Sequence, residues 1–252
     1  MGYTIAITGK GGTGKTTLAA LIIRIIKERQ LGSILAVDAD PNSNLAEVLG
    51  IEVKETIGSI LDEISAQPEK IPSGMPKDRF IEYRLQTGIA EGDRVDLLAM
   101  GRPEGAGCYC YVNNILRNIV GKLIKDYDYI VIDNEAGLEH LSRRTTRSAD
   151  LLLVISDATL VGLRSAKRIN ELAEELKIKI KKRFLVINRY IDSIDKKVIQ
   201  GLRLECAGNI PVDKNIAKAS LNGNSLMELK NNSVSLTALR KIGEKLWQRN
   251  CC

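Results

Sequence analysis

The 252-residue sequence predicts an α/β fold, a doubly wound and mostly parallel sheet with helices on both faces. Three observations carry this. Short β-branched runs alternate with amphipathic helical stretches along most of the chain. Several runs are apolar at nearly every position, as strands covered on both faces are. The first run feeds a glycine-rich turn that opens a helix.

The predicted strands, in order, are Thr4–Thr8, Ile34–Asp38, Val95–Met100, Tyr129–Asp133, Leu151–Ser156, Phe184–Asn188 and Leu204–Asn209. Between them, Lys15–Arg29 carries Leu18, Leu21, Ile22 and Ile25 on one helical face, and Val112–Lys125, Leu163–Leu176 and Ser235–Gln248 are spaced alike. The stretch 67–93 holds Pro68, Pro72 and Pro76 among mixed charges and reads as a surface insertion, part helix and part loop. The run Lys177–Arg183 reads as a solvated approach to a strand. The whole of 1–252 is expected to form one domain. In sheets of this kind the ligand crevice lies beyond the carboxyl ends of the strands, and each motif below follows such an end.

Composition narrows the function classes. With 44% hydrophobic and 27% charged residues the chain is ordinary globular protein, and the net charge of +6 suits an anionic partner without choosing one. Aromatics at 4% weaken any case for single-stranded nucleic acid held by base stacking. No targeting signal and no membrane-length apolar run stands in the sequence. Five cysteines, two of them at 108 and 110, favour a reduced cytoplasmic chain over a disulfide framework.

Gly9-Lys10-Gly11-Gly12-Thr13-Gly14-Lys15-Thr16 satisfies the phosphate-loop pattern of a P-loop NTPase between strand and helix. Glycines let backbone N–H groups turn inward on a polyanion, and the helix adds its positive end. Lys15 reaches the β and γ phosphates, Thr16 offers a hydroxyl to Mg²⁺, and Thr17 completes the nucleotide-binding set. After the second strand, Asp38-Ala39-Asp40-Pro41 offers carboxylates beside the phosphates; the alternative is an Asp-Pro turn capping the next helix. Tyr129–Asp133 ends an apolar strand in an acid that can hold Mg²⁺, directly or through water.

Lys10, the second lysine of the loop, makes the sequence resemble the deviant-Walker ATPases: the nitrogenase iron protein, Min and Par partitioning ATPases and metallocentre maturation ATPases. The resemblance implies ATP as substrate and a nucleotide-sandwich homodimer in which Lys10 reaches the partner's phosphates. It implies Asp40 as the water-activating aspartate of switch I, Asp38 as a group on the Mg²⁺ side, and Asn134-Glu135-Ala136-Gly137 as switch II. Asn188 and Arg189 resemble the family's adenine-recognising pair, and Ile210-Pro211-Val212-Asp213 resembles the loop that closes over the base, with Pro211 and Asp213 among the nucleotide contacts. The guanine-specific acidic signature is missing after Asn188, which favours ATP. His140, the single histidine, reads either as a packing residue or as a ligand or relay.

Cys108 and Cys110 lie in the stretch 101–111 between a strand and a helix. Thiolates two residues apart supply half of a four-ligand soft-metal site, and a two-fold dimer supplies the rest. The other readings are small loop residues or a redox dithiol. Together with Lys10 and Asn134–Leu141, the pair resembles the CooC-type nickel-insertion ATPases, over nearly the whole chain. This implies Ni²⁺ or Zn²⁺ shared across the dimer, and carbon monoxide dehydrogenase or acetyl-CoA synthase as client, with neither nucleic acid nor membrane as partner. The rival is a MinD/ParA-type partitioning ATPase acting on membrane or DNA, which has no use for the cysteine pair. For it stand the charge and the helix 235–248, whose Leu236, Leu239, Ile242 and Leu246 form a stripe that either lies on a membrane or packs on the sheet. An iron–sulfur electron donor would need cysteines spaced far apart, which this pair is not. Cys206 reads as a buried small residue, and Cys251-Cys252 as exposed thiols or an adventitious metal site.

Overall fold

Alternation of side chains across the strands builds the molecule. Ile5 and Ile7 face one side of the sheet and Ala6 the other; Tyr129 and Val131 face as Ile5 does, and Ile130 and Ile132 oppositely. Both faces are therefore apolar and both must be covered. The computed structural model describes residues 2–102, 118, 121–123, 125–136, 148–191 and 201–247. Within them the order is β1 (Tyr3–Gly9), α1 (Lys15–Glu28), β2 (Ile34–Ala39), α2 (Leu45–Leu49), α3 (Ile57–Ala66), α4 (Lys77–Thr87), β3 (Val95–Ala99), β4 (Tyr129–Asn134), β5 (Ser148–Ser156), α5 (Leu160–Glu175), β6 (Lys179–Tyr190), β7 (Glu205–Pro211), α6 (Lys214–Leu221) and α7 (Val234–Leu246). The strands form a seven-stranded sheet in the order β3-β2-β4-β1-β5-β6-β7, parallel throughout. This is the expected fold.

On one face α1, α2 and α7 cover the sheet, with Ile22, Ile25, Leu236, Leu239 and Trp247 buried together. The stripe on α7 is thus spent on the sheet. On the other face, α3 and α4 pack under β2, β3 and β4, and α5 under β5 and β6. Phe80, Ile81 and Leu85 of α4 are buried in that layer. The segment 67–93 is consequently a working cover of the sheet as well as an exposed surface. No described helix is long and apolar enough to cross a membrane.

Two further expectations change. The basic run 177–183 lies, from Lys179, inside β6 itself, where Lys181 pairs with Asp150 at 2.6 Å. The strand starts among charges because its first half is partly open to solvent. Cys206 is half-buried on the edge strand β7. Of the helix expected over 112–125, residues 118 and 121–123 are described and helical; the rest lies outside the described residues.

Leu85→Ala should lower stability by about 2–4 kcal/mol, since the side chain is fully buried. Urea unfolding measures this; a change under about 0.5 kcal/mol, normal for a surface position, would make the segment dispensable.

Candidate nucleotide site

The loop after β1 is shaped by sterics and by its neighbours. Gly12 and Gly14 have φ of 79° and 90°, in the left-handed region. A Cβ on Gly14 would stand 2.4 Å from the Asn188 Nδ2, so glycine is required twice over. The Thr13 hydroxyl donates to the Lys10 carbonyl at 2.8 Å, and the Lys15 ammonium reaches the same oxygen at 3.4 Å. Lys15 is buried while Lys10, Gly11 and Gly12 are exposed. The first turn of α1 has no acidic residue, so its positive end is left for an anion.

The parallel pairing of β2 and β4 sets Asp38 directly opposite Asp133. Both are buried, at 0% and 1% exposure, but they are held differently. Asp38 accepts from the backbone N–H of Asp40 at 3.1 Å and of Leu45 at 2.8 Å, which ties the loop 38–45 together and satisfies the first turn of α2. Burial still pushes its carboxyl up to about 6, against those two hydrogen bonds. Neither oxygen of Asp133 has a partner at full hydrogen-bond geometry among the described residues. Burial pushes this carboxyl up to about 7; the Thr16 hydroxyl and the Lys15 ammonium oppose the rise, and Asp38 and Asp40 add to it. An open buried carboxylate beside a threonine hydroxyl is a donor set for a hard divalent cation, so the residues fit Mg²⁺. Asp133 and Thr16 are its candidate ligands. Asp38, its two oxygens already engaged with backbone, serves the loop.

Asp40, half-buried, accepts from the backbone and side-chain N–H groups of Asn42, each at 2.9 Å. The turn of the alternative reading is therefore present, and it holds Asp40 at the strand end. Asn134, fully buried, donates to the Ile7 carbonyl at 2.8 Å and locks β4 to β1. Ala136 lies close to the phosphate loop, 3.9 Å from where a Cβ on Gly11 would be. Gly137, Glu139, His140, the pair Cys108 and Cys110, and Cys251-Cys252 lie outside the described residues. Among the described residues no group of three or more His, Cys, Asp or Glu is placed to hold a metal ion.

Beside the loop opens a cleft of about 420 Å³ whose lining includes Thr17, Asn188, Arg189, Pro211, Asp213 and Leu221. Residues from three strand ends and two helices meet there, and the cleft is large enough for a purine. Asn188 donates to the Thr13 carbonyl at 2.8 Å and Arg189 to the Gly12 carbonyl at 3.1 Å. The two side chains expected at the base thus also hold the phosphate loop. Asp213 is spent structurally: it accepts from Asn215 N–H, from the Ser233 hydroxyl at 2.5 Å and from Ser235 N–H, joining α6 to α7. The sequence reading missed that clamp, although a serine pair opening a helix is a visible capping signal. It also missed Ser43, whose hydroxyl accepts from the Gly101 N–H at 3.2 Å.

Comparison with known proteins agrees with this geometry. The family model of the CobQ/CobB/MinD/ParA nucleotide binding domain matches residues 4–226. An uncharacterized ATP-binding protein of Methanocaldococcus jannaschii is 45% identical over 96% of this chain and 97% of its own. The carbon monoxide dehydrogenase accessory protein CooC of Rhodospirillum rubrum is 30% identical over 89% of each chain. The septum site-determining protein MinD of Thermotoga maritima is likewise 30% identical, over 89% of this chain and 83% of its own. Among solved structures, MinD of Pyrococcus horikoshii complexed with Mg-ADP superposes with a TM-score of 0.71 at 24% identity, covering 98% of this chain and 97% of that one.

Asp133 titrates in the fold near 7 instead of near 4. Its ionised form therefore destabilises the nucleotide-free protein, and that cost enters as pH rises from about 4 to about 7. Asp133→Asn should raise unfolding free energy at pH 8 by about 2 kcal/mol, less than the full shift because the new amide lacks partners. The gain should fade near pH 4. Urea titrations at both pH values check this, and equal stabilities at pH 8 would contradict it.

Proposed function

The chain belongs to the CobQ/CobB/MinD/ParA nucleotide-binding family and is an ATPase of that family, and from that premise we propose that it is a metallochaperone that hydrolyses ATP to deliver nickel. The observation that carries the reading is the Cys108-x-Cys110 pair, on the segment that leaves β3 next to the loop holding Asp38 and Asp40. Similarity to CooC over 89% of both chains supports it. Ni²⁺, or Zn²⁺ in its stead, is cargo: two thiolates from each of two copies make a four-sulfur site at a two-fold interface. Carbon monoxide dehydrogenase or acetyl-CoA synthase is the client class. The work belongs to the cytoplasm, where thiols stay reduced.

In this reading ATP lies with its phosphates on the backbone N–H groups of Gly11 to Thr16 and its adenine in the 420 Å³ cleft, beside Thr17, Asn188, Arg189 and Pro211. Mg²⁺, held by Thr16 and Asp133, neutralises phosphate charge when bound. Lys15 pairs with the β and γ phosphates. Exposed Lys10 extends to the partner copy's nucleotide, which makes turnover depend on dimerisation. Asp40 orients the attacking water toward the γ-phosphate, and water with ATP gives ADP and phosphate.

A partitioning ATPase is the second reading, favoured by equal identity to MinD. It leaves the cysteine pair unused, and the apolar stripe of α7 is already buried on the sheet.

Titration of the purified protein with Ni²⁺, with and without a non-hydrolysable ATP analogue, tests the function while mass is followed. One metal per two chains is expected, lost in Cys108→Ser and in Cys110→Ser. Metal binding that survives both substitutions, or none in the wild type, sinks the reading. For catalysis, Asp40→Ala should keep nucleotide affinity within about threefold and lower kcat by about 100-fold or more; normal turnover removes Asp40 from its role.

A further inference from the structure

The loop that carries the two switch aspartates is fastened to the strand end from which the cysteine segment departs. Asp38 at the end of β2 accepts through its backbone carbonyl from Met100 N–H at 2.9 Å, an extension of the β2–β3 pairing. One residue on, the Gly101 N–H donates to the Ser43 hydroxyl at 3.2 Å. Ser43 is itself bound back to the switch: its N–H donates to the Asp40 carbonyl at 3.0 Å, and its φ of 49° puts it in the left-handed region. A serine pays for that conformation where glycine would not, so the hydroxyl is the reason to have a side chain there. On the far side, Met100 accepts from Gly58 N–H at 2.9 Å. Gly101, at φ 63°, is pressed so close to Thr56, the residue capping α3, that an added Cβ would meet its side chain at 2.2 Å. Met100 and Gly101 are therefore held by α3 on one side and by the switch on the other, with the Ser43 hydroxyl as a side-chain tie between them.

We propose that Ser43 is a positioning residue which transmits the nucleotide state of the loop 38–45 to the segment beginning at Gly101, and so to the chemical environment of Cys108 and Cys110. The inference rests on the proposed reading of that loop as the nucleotide-facing switch. Movement of Asp40 toward or away from a γ-phosphate carries the Ser43 backbone with it through the Asp40–Ser43 turn. The hydroxyl then pulls on or releases Gly101. Phosphate occupancy and thiol environment become linked through a single neutral hydrogen bond, and linkage of this kind is reciprocal.

The test uses the full chain without metal. Alkylation rates of Cys108 and Cys110, resolved site by site by mass spectrometry, are measured with no nucleotide, with Mg-ADP and with a non-hydrolysable Mg-ATP analogue. The wild type should show a rate ratio between the ADP and ATP-analogue states of about fivefold, the factor one neutral hydrogen bond carries. Ser43→Gly removes the hydroxyl and relieves the left-handed strain. It should bring the ratio to about one, with nucleotide affinity, dimer mass and unfolding midpoint unchanged. A ratio that persists in Ser43→Gly overturns the inference, and so does a wild type whose two nucleotide states alkylate alike. Failure of the metal reading is seen separately, as loss of Ni²⁺ binding in titrations without nucleotide, and leaves the alkylation result standing.

Discussion

Two carboxylates buried side by side at the ends of β2 and β4 are the constraint on which the rest of the site depends. Parallel register puts Asp38 against Asp133, and sealed apolar faces deny both of them water. The protein resolves half of this conflict internally. Asp38 is surrounded by N–H groups of its own loop and becomes the organiser of the switch. Asp133 is left open. A charge buried without a partner is a cost in the empty protein and an attraction for a cation. The stability given up at the strand ends is thereby turned into affinity for Mg-nucleotide.

The same economy appears at the phosphate loop. Asn188 and Arg189 stand at the end of β6, where the pairing with β7 becomes irregular and Arg189 takes φ 54°. From there they hold the Thr13 and Gly12 carbonyls. The loop whose N–H groups must face phosphate is thus fixed through its carbonyls, which point the other way. Side chains that line the base cleft shape the phosphate cradle, so recognition of base and of phosphate are coupled before any ligand arrives. On the opposite side the Asp213 clamp joins α6 to α7 and gives the cleft a rigid wall.

Much of this was legible because buried parallel strands write themselves as apolar runs. All seven strands were marked by residues such as Ile5, Val37, Val131 and Leu153. Where a strand is half-open the mark fades, and β6 begins among lysines that look like a linker. The helices α2 and α6 are short, and α4 has few apolar residues between prolines, so its three buried side chains looked like a surface insertion. At the site, the phosphate loop, Asp40 and Asp133 were readable because their spacing is local. The division of labour between Asp38 and Asp133 was not, because it depends on which N–H groups approach in space. Ser43 and Gly101 are 58 positions apart, and nothing in the chain between them marks the contact.

The central claim is that an uncompensated buried carboxylate at the end of β4 draws in the Mg-nucleotide. Affinity for Mg-ADP measured by calorimetry from pH 6 to pH 8 tests it most directly. With Asp133 titrating near 7, affinity should rise by up to about tenfold per pH unit below that point and level off above it, with proton release at the lower values. Affinity that is flat across the range, without proton release, would contradict the account.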